Sequence, residues 1–226
     1  MSDDTAATIL LATRSAGKLR ELRALFEAAG LHVQDLEEAG IEEGDQEHAL
    51  EVFDTFEENA LAKARHFHAI TGGRVVADDS GLEVEALAGA PGVRSKRWSG
   101  RTELTGTALD EANNALLQRS LAGVADRRAR YVCVAAYVDG ARELVFRGEV
   151  SGTITSTRLG SGGFGYDPYF IADETGRSFG EMSREEKQRI SHRGRAFAAL
   201  LHALGTGRGE GFGRQPLPVD SADSTV

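Results

Sequence analysis

The chain has 226 residues, 41% of them hydrophobic, enough to bury one large core or two closely packed lobes. A formal net charge of −9 argues against a passive nucleic-acid binder, because such proteins carry a basic excess. Cys133 is the lone cysteine, which excludes an internal disulfide, and no apolar run approaches the ~20 residues of a membrane span.

Residues 1–8 are polar and lack a signal-peptide pattern, so the expectation is a cytoplasmic enzyme with a flexible start at 1–7 and no membrane partner. Residues 8–13 (TILLAT) read as a short buried strand. Leu19, Leu22, Leu25 and Phe26 then fall at helical spacing, with Gly30 as the stop, and 31–36 reads as a second strand. This is an α/β opening. The acidic stretch 36–54 has little periodicity and reads as a loop with a short helical turn. Thr55 and Glu58 form a capping box for a helix to about Thr71, stopped by Gly72-Gly73. Residues 74–77 predict a strand running into Asp78-Asp79-Ser80-Gly81, where the chain is expected to turn, with another strand at 82–87. Residues 88–101 read as an irregular loop and 104–121 as a helix. The alternation over 131–138 and 143–150, joined by Asp139-Gly140, predicts a hairpin that buries Cys133, and a third strand is expected at 152–157. A glycine-rich loop follows at 160–167. Ser183 and Glu186 cap a helix expected to run to Gly205, which places Lys187 and Ser191 on one face. The composition of 206–226 reads as a disordered tail, leaving 8–205 as a single two-lobed domain.

Four segments carry chemistry. Thr13-Arg14-Ser15-Ala16-Gly17-Lys18 opens the first helix, whose free N–H groups and positive dipole end suit phosphate. Its glycine spacing is not that of a Walker A loop, and a surface turn with a solvated lysine is the alternative. Asp78-Asp79 at a strand's carboxyl end suits Mg²⁺, although neighbouring strand residues point to opposite faces; an Asx turn is the alternative. Gly162-Gly163-Phe164-Gly165-Tyr166-Asp167 reads as a loop passing close to a planar ligand. Phe164 is placed to stack on a base, Tyr166 is either pocket or core, and Asp167 is either pocket or turn cap. Lys187, Arg189, His192 and Arg193 gather four cations within seven residues of an acidic chain; a solvated helical face is the alternative.

Together, in this order, and joined by Phe56-Glu57-Glu58-Asn59-Ala60-Leu61-Ala62-Lys63-Ala64-Arg65 and Gly89-Ala90-Pro91-Gly92-Val93, these segments closely resemble the inosine triphosphate pyrophosphatase family, also called dITP/XTP pyrophosphatases. The resemblance covers residues 8–204. It implies an α/β fold: an elongated mixed central sheet flanked by helices, two lobes with a substrate cleft between them, and a homodimer. It implies hydrolysis of ITP, dITP and XTP to monophosphate and pyrophosphate, which cleanses the nucleotide pool, with Mg²⁺ as cofactor. On this reading Thr13, Arg14, Ser15, Ala16, Gly17 and Lys18 hold the triphosphate, and Lys63 faces the phosphates. Asp79 is the catalytic acid, ligating Mg²⁺ or activating water, with Asp78 in support and Ser80 touching substrate. Phe164, Gly165, Tyr166, Asp167, Lys187, His192 and Arg193 form the purine pocket. Two departures stand out. The family usually carries asparagine where this chain has Ser15, and often glycine where it has Arg14. The acidic stretch before Phe56 also matches poorly; the family places a metal-binding glutamate there, and Glu51 is the first candidate, with Glu47 behind it.

The expected reaction is in-line attack of water on the α-phosphorus, with Lys18 and Lys63 stabilising developing charge. Selectivity is expected from hydrogen-bond donors that match a 6-carbonyl and mismatch the amino group of adenine. A pyrophosphatase of broader substrate range and a catalytically dead nucleotide sensor are the alternatives.

Overall fold

The structure, a computed structural model, describes residues 8–205; the start at 1–7 and the tail at 206–226 lie outside the described residues. Three strands, β1 (Ile9–Leu11), β2 (Val33–Asp35) and β3 (Arg74–Val84), pair in parallel. Four more, β4 (Arg128–Val138), β5 (Glu143–Ile154), β6 (Phe170–Ala172) and β7 (Arg177–Ser178), extend the sheet antiparallel from β3. The order is β2-β1-β3-β4-β5-β6-β7, a mixed α/β sheet. The helices are α1 (Ala16–Ala28), α2 (Phe56–Thr71), α3 (Gly106–Ser120), α4 (Arg184–Ile190) and α5 (His192–Ala203). Among the described residues no helix is long and apolar enough to cross a membrane.

Side-chain alternation divides the core between the sheet's two faces. Val75, Ala77, Val132, Val134 and Ala136 point toward α2 and meet Phe56, Ala60, Ala64 and Phe67. Val76, Cys133, Ala135 and Tyr137 point the other way and meet Leu22 and Phe26 of α1 and Phe197 and Leu200 of α5. Full burial of each such Leu or Phe stabilises the fold by about 1.5–3 kcal/mol. A third cluster, rich in aromatics, joins α3 to the far end of the sheet through Leu117, Tyr131, Phe170 and Phe179.

Three expectations are corrected. The chain does not turn at Ser80-Gly81. Instead β3 continues to Val84, and Gly81 pairs with Val132. Glycine is needed there for close approach: an added Cβ would lie 2.2 Å from the Gly92 carbonyl oxygen. No separate strand begins at Gly152, because β5 runs through it to Ile154 and the missing side chain admits Phe170 of β6. The C-terminal helix is two helices. Ser191 is extended (ψ 156°); it ends α4, and its hydroxyl accepts the Gly194 N–H to cap α5, so Lys187 and Ser191 do not share a helical face.

Candidate active site

The site grows from the unequal lengths of β1 and β3. Their pairing ends at Leu11 and Val76, yet β3 continues, and its edge is left without a strand partner around Asp78-Asp79 before the 90–95 segment covers it at Leu82–Val84. Lys63 from α2 occupies that edge and donates to the Asp78 carbonyl at 2.5 Å. Because the strand stays straight, Asp78 and Asp79 project to opposite faces.

Asp78 faces α1 and α5. Its Oδ2 lies 3.0 Å from Lys18 Nζ and accepts from Nε and Nη2 of Arg193, each at 3.3 Å. Burial alone would raise its pKa, but the charges of Lys18, Arg193 and Lys63 outweigh burial and hold the carboxyl well below the usual range. The Cys133 thiol also leans on it, at 3.7 Å, and is buried and protonated.

Asp79 faces α2. It accepts from Asn59 Nδ2 at 3.0 Å and from the Ser80 N–H at 3.0 Å, and Lys63 Nζ stands 3.9 Å away. Here burial wins: Lys63 and Lys18 pull the pKa down, Glu51 and Asp78 push it up, and the balance is a raised value. Lys63 spends its shorter ion pair, 2.8 Å, on Glu51, which also holds Arg97 at 2.6 Å. Burial opposes ionisation of Glu51, yet Lys63, Lys18 and Arg97 hold its pKa down at about 2.

The phosphate-type loop precedes α1. The Thr13 hydroxyl accepts the Ser15 N–H at 3.2 Å, and Ser15 caps the helix by accepting the Lys18 N–H at 3.4 Å. First-turn N–H groups, those of Ala16 and Gly17, have no intrahelical acceptor. Gly17 is glycine because of Phe164: an added Cβ would lie 2.7 Å from Cδ1 of that ring.

Across Phe164 lies a second ionic cluster. Lys187 sits 4.8 Å above its ring and Arg193 5.6 Å away. Lys187 binds Glu21 at 2.7 Å and Asp167 at 2.6 Å. Arg193 binds Glu21 at 2.6 Å and the Ser80 hydroxyl at 2.8 Å. Gly148 of β5 lets the start of α5 approach this closely, since a Cβ there would lie 2.2 Å from the His192 carbonyl oxygen. His192 stacks on Tyr131, centroids 4.5 Å apart, and burial followed by the charges of Arg193 and Lys187 keeps it neutral.

The sequence profile of the Ham1 family matches residues 9–203. The chain belongs to the Ham1 family. It is 48% identical over 198 residues to the dITP/XTP pyrophosphatase of Mycobacterium tuberculosis, covering 87% of this chain and 94% of that one. It is 45% identical over 200 residues to the protein of the same name from Ralstonia nicotianae, covering 87% and 96%. Among solved structures, the Ham1 protein of Staphylococcus aureus superposes with a TM-score of 0.74 at 36% identity, covering 88% of this chain and 98% of its own.

In this Ham1-family chain the fold brings most of the expected residues together. Lys18, Lys63, Asp78, Asp79, Ser80 and Arg193 form one connected network, and Phe164, Asp167 and Lys187 adjoin it through Glu21. Others stand apart. Tyr166 is buried in the aromatic core with its hydroxyl donating to the Ser95 carbonyl. Gly165 is fastened to α3 by Asp110 and Asn114, each at 2.8 Å. Arg14 is turned onto Glu47 at 2.7 Å and the Ile41 carbonyl at 2.9 Å, so the two departures from the family pattern meet each other.

Sequence reasoning missed Glu21, Asn59, Arg97 and Asp110. Glu21 carried one available signal: it follows Lys18 by three residues and shares its helical face.

The donor set suits a hard divalent cation. Five cations (Lys18, Lys63, Arg97, Lys187, Arg193) face five carboxylates (Glu21, Glu51, Asp78, Asp79, Asp167). Among the described residues this cluster carries no surplus positive charge, and Asp79 keeps a raised pKa. Among the described residues no three His, Cys, Asp or Glu side chains converge as a preformed cage. That pattern fits Mg²⁺, which is commonly held by one or two carboxylates together with substrate phosphates. Asp79 and Glu51, on either side of Lys63, are the pair that could hold it.

Proposed function

We propose that the chain hydrolyses non-standard purine nucleoside triphosphates, ITP, dITP and XTP, to monophosphate and pyrophosphate, and so removes them from the nucleotide pool. The observation that carries this reading is the convergence of Lys18 and Lys63, from opposite faces of the sheet, on the open edge of β3 at Asp78-Asp79. A donor-rich pocket adjoins that edge through Arg193. The names of the relatives from Mycobacterium tuberculosis and Ralstonia nicotianae support the same assignment.

Phosphate oxygens would lie at the start of α1, against the first-turn N–H groups and the hydroxyls of Thr13 and Ser15. Lys18 and Lys63 then offset charge as it builds on the α-phosphoryl group and the leaving pyrophosphate. Asp79 and Glu51 would hold Mg²⁺, which when bound neutralises phosphate charge and lowers the pKa of water. No protein nucleophile is required.

The purine would lie against Phe164, with Lys187 and Arg193 as donors. A 6-carbonyl accepts from them, whereas a 6-amino group leaves donor facing donor, a mismatch that costs about 10⁴-fold or more in comparable sites. The neutral His192 stacked on Tyr131 walls the pocket. The homodimer belongs to the same reading, and light scattering during gel filtration should give twice the chain mass. Pyrophosphate release tests the function. The expected result is release from ITP and XTP that needs Mg²⁺ and far exceeds release from ATP; equal turnover of ATP would point to a pyrophosphatase of broader range.

A further inference from the structure

We infer that Asp110 and Asn114, one turn apart on α3, are positioning residues for the base: they clamp both backbone groups of Gly165 and so hold the Phe164 ring where the purine stacks on it. The inference rests on the purine-pocket assignment above.

The clamp closes on a single residue. Asp110 Oδ2 accepts the Gly165 N–H at 2.8 Å, and Asn114 Nδ2 donates to the Gly165 carbonyl at 2.8 Å. Residues four apart share one face of a helix, so one stripe of α3 reaches both groups. Nδ2 of Asn114 also donates to the Asp110 carbonyl at 2.9 Å. Asn114 is 5% exposed, and its buried Oδ1 has no partner among the described residues. Donation is therefore what the loop takes from this side chain, and a carboxylate in its place would face two carbonyl oxygens.

Gly165 is where the loop can pivot. Its φ is +61°, in the left-handed region that glycine enters without strain, and among the described residues no atom lies within 4 Å of where its Cβ would be. Packing does not hold it in place; the two hydrogen bonds do. The Gly165 N–H belongs to the peptide shared with Phe164, whose own N–H is held by Asp167 at 2.8 Å. Both peptides of Phe164 are thus fixed, one by Asp167 and one by α3. The ring they carry has little room: it passes Gly17, where an added Cβ would lie 2.7 Å from it, and lies under Lys187 at 4.8 Å. A swing at Gly165 would lose that fit.

Helix α3 is itself anchored to the opposite wall. Asn113 accepts the Ser99 N–H at 2.8 Å and donates to the Lys96 carbonyl at 3.0 Å. The segment it holds carries Arg97, which grips Glu51. Adjacent side chains of one helix therefore set the stacking ring and the Glu51 side of the site at a fixed separation.

Asp110→Ala tests the inference, because Asp110 is half-buried and alanine preserves the helix. Steady-state kinetics on ITP at fixed Mg²⁺ are measured for wild type, Asp110→Ala, Phe164→Ala and the double variant, alongside thermal melting. Inorganic tripolyphosphate serves as an inhibitor that has no base. The expected result is a KM for ITP raised about tenfold in Asp110→Ala with kcat within about threefold, the scale of one lost base–aromatic stack. The inhibition constant of tripolyphosphate should stay within about twofold of wild type. In the Phe164→Ala background the same substitution should change KM by less than about twofold, because its effect runs through the ring. Asp110→Asn, whose amide oxygen can still accept the Gly165 N–H, should bring KM back to within about threefold of wild type. Wild-type KM in Asp110→Ala, a full tenfold loss in the Phe164→Ala background, a matching loss for tripolyphosphate, or no recovery in Asp110→Asn each overturns the inference while leaving the pocket assignment standing. An unchanged KM for ITP in Phe164→Ala overturns the pocket assignment itself, and with it the role of α3. If Asp110→Ala does not fold, Asn114→Ala is judged by the same measurements.

Discussion

Asp78 and Asp79 are neighbours of the same residue type, and the structure predicts opposite consequences for the same substitution. In Asp78→Asn the buried anion between Lys18 and Arg193 disappears. Its carboxyl is held below the usual range, so its charged form stabilises the fold above that range and the contribution fades as pH falls through its folded value. Breaking a buried ion pair by removing one partner costs about 3–5 kcal/mol. Arg193 keeps Glu21, and Lys18 is 14% exposed and can rehydrate in part, which favours the lower end, about 3 kcal/mol. At about 2–4 °C per kcal/mol for a domain of this size, the melting temperature should fall by roughly 6–12 °C. Asp79→Asn should behave otherwise. Its charged form is disfavoured by burial and by Glu51 and Asp78, so neutralising it at pH 7 relieves a cost that offsets the one acceptor lost between Asn59 and the Ser80 N–H. Its melting temperature should equal or exceed that of wild type while turnover is lost. Thermal melts read by circular dichroism, with kcat/KM for ITP on the same samples, provide the comparison. Equal melting losses in the two variants, or near-normal turnover in Asp79→Asn, would refute the assignment of the two aspartates to opposite faces with opposite roles.

Further outcomes follow from individual contacts. Gly17→Ala places a Cβ 2.7 Å from the Phe164 ring, so kcat/KM for ITP should drop, while stability changes little because alanine favours a helix by about 1 kcal/mol; chemical denaturation and kinetics separate the two effects. Ser15→Ala removes the cap of α1 and should cost about 1 kcal/mol of stability, whereas Lys18→Ala should cost more in kcat/KM because it removes a whole charge from the phosphate end. For Glu51, a pKa lowered from 4.5 to about 2 corresponds to roughly 3 kcal/mol, reduced to about 2 by its 27% exposure. Its charge therefore stabilises fully above pH 4.5 and is lost as pH falls toward 2; urea titrations should show the gap between wild type and Glu51→Gln narrowing by about that amount over the interval.

Much of the fold is legible from spacing. The helical run from Leu19 to Phe26, the Thr55 capping box and the Asp139-Gly140 hairpin all lie where periodicity and turn chemistry place them. What misleads is glycine, whose local signal is the same for a turn and for a close approach. Gly81 and Gly152 sit inside long strands because other chain segments press on them. Ser191 breaks a helix by caps that mimic a helix interior in sequence. Within the site, the residues of motif character were visible, whereas their holders were not. Asn59, Arg97 and Glu21 act through contacts 20, 46 and 172 positions away, and a one-dimensional pattern carries no trace of such pairings. Arg14 is instructive in the other direction: it departs from the family pattern, and its side chain is taken up by an ion pair with Glu47.

The central claim is cleavage between the α- and β-phosphates at the Asp78-Asp79 edge of β3. Phosphorus NMR of ITP incubated with the full chain and Mg²⁺ tests it most directly. The account predicts IMP and pyrophosphate in equal amounts, with no IDP or orthophosphate at early times, and loss of both products in Asp79→Asn. Accumulation of IDP and orthophosphate, or IMP formation undiminished in Asp79→Asn, would contradict it.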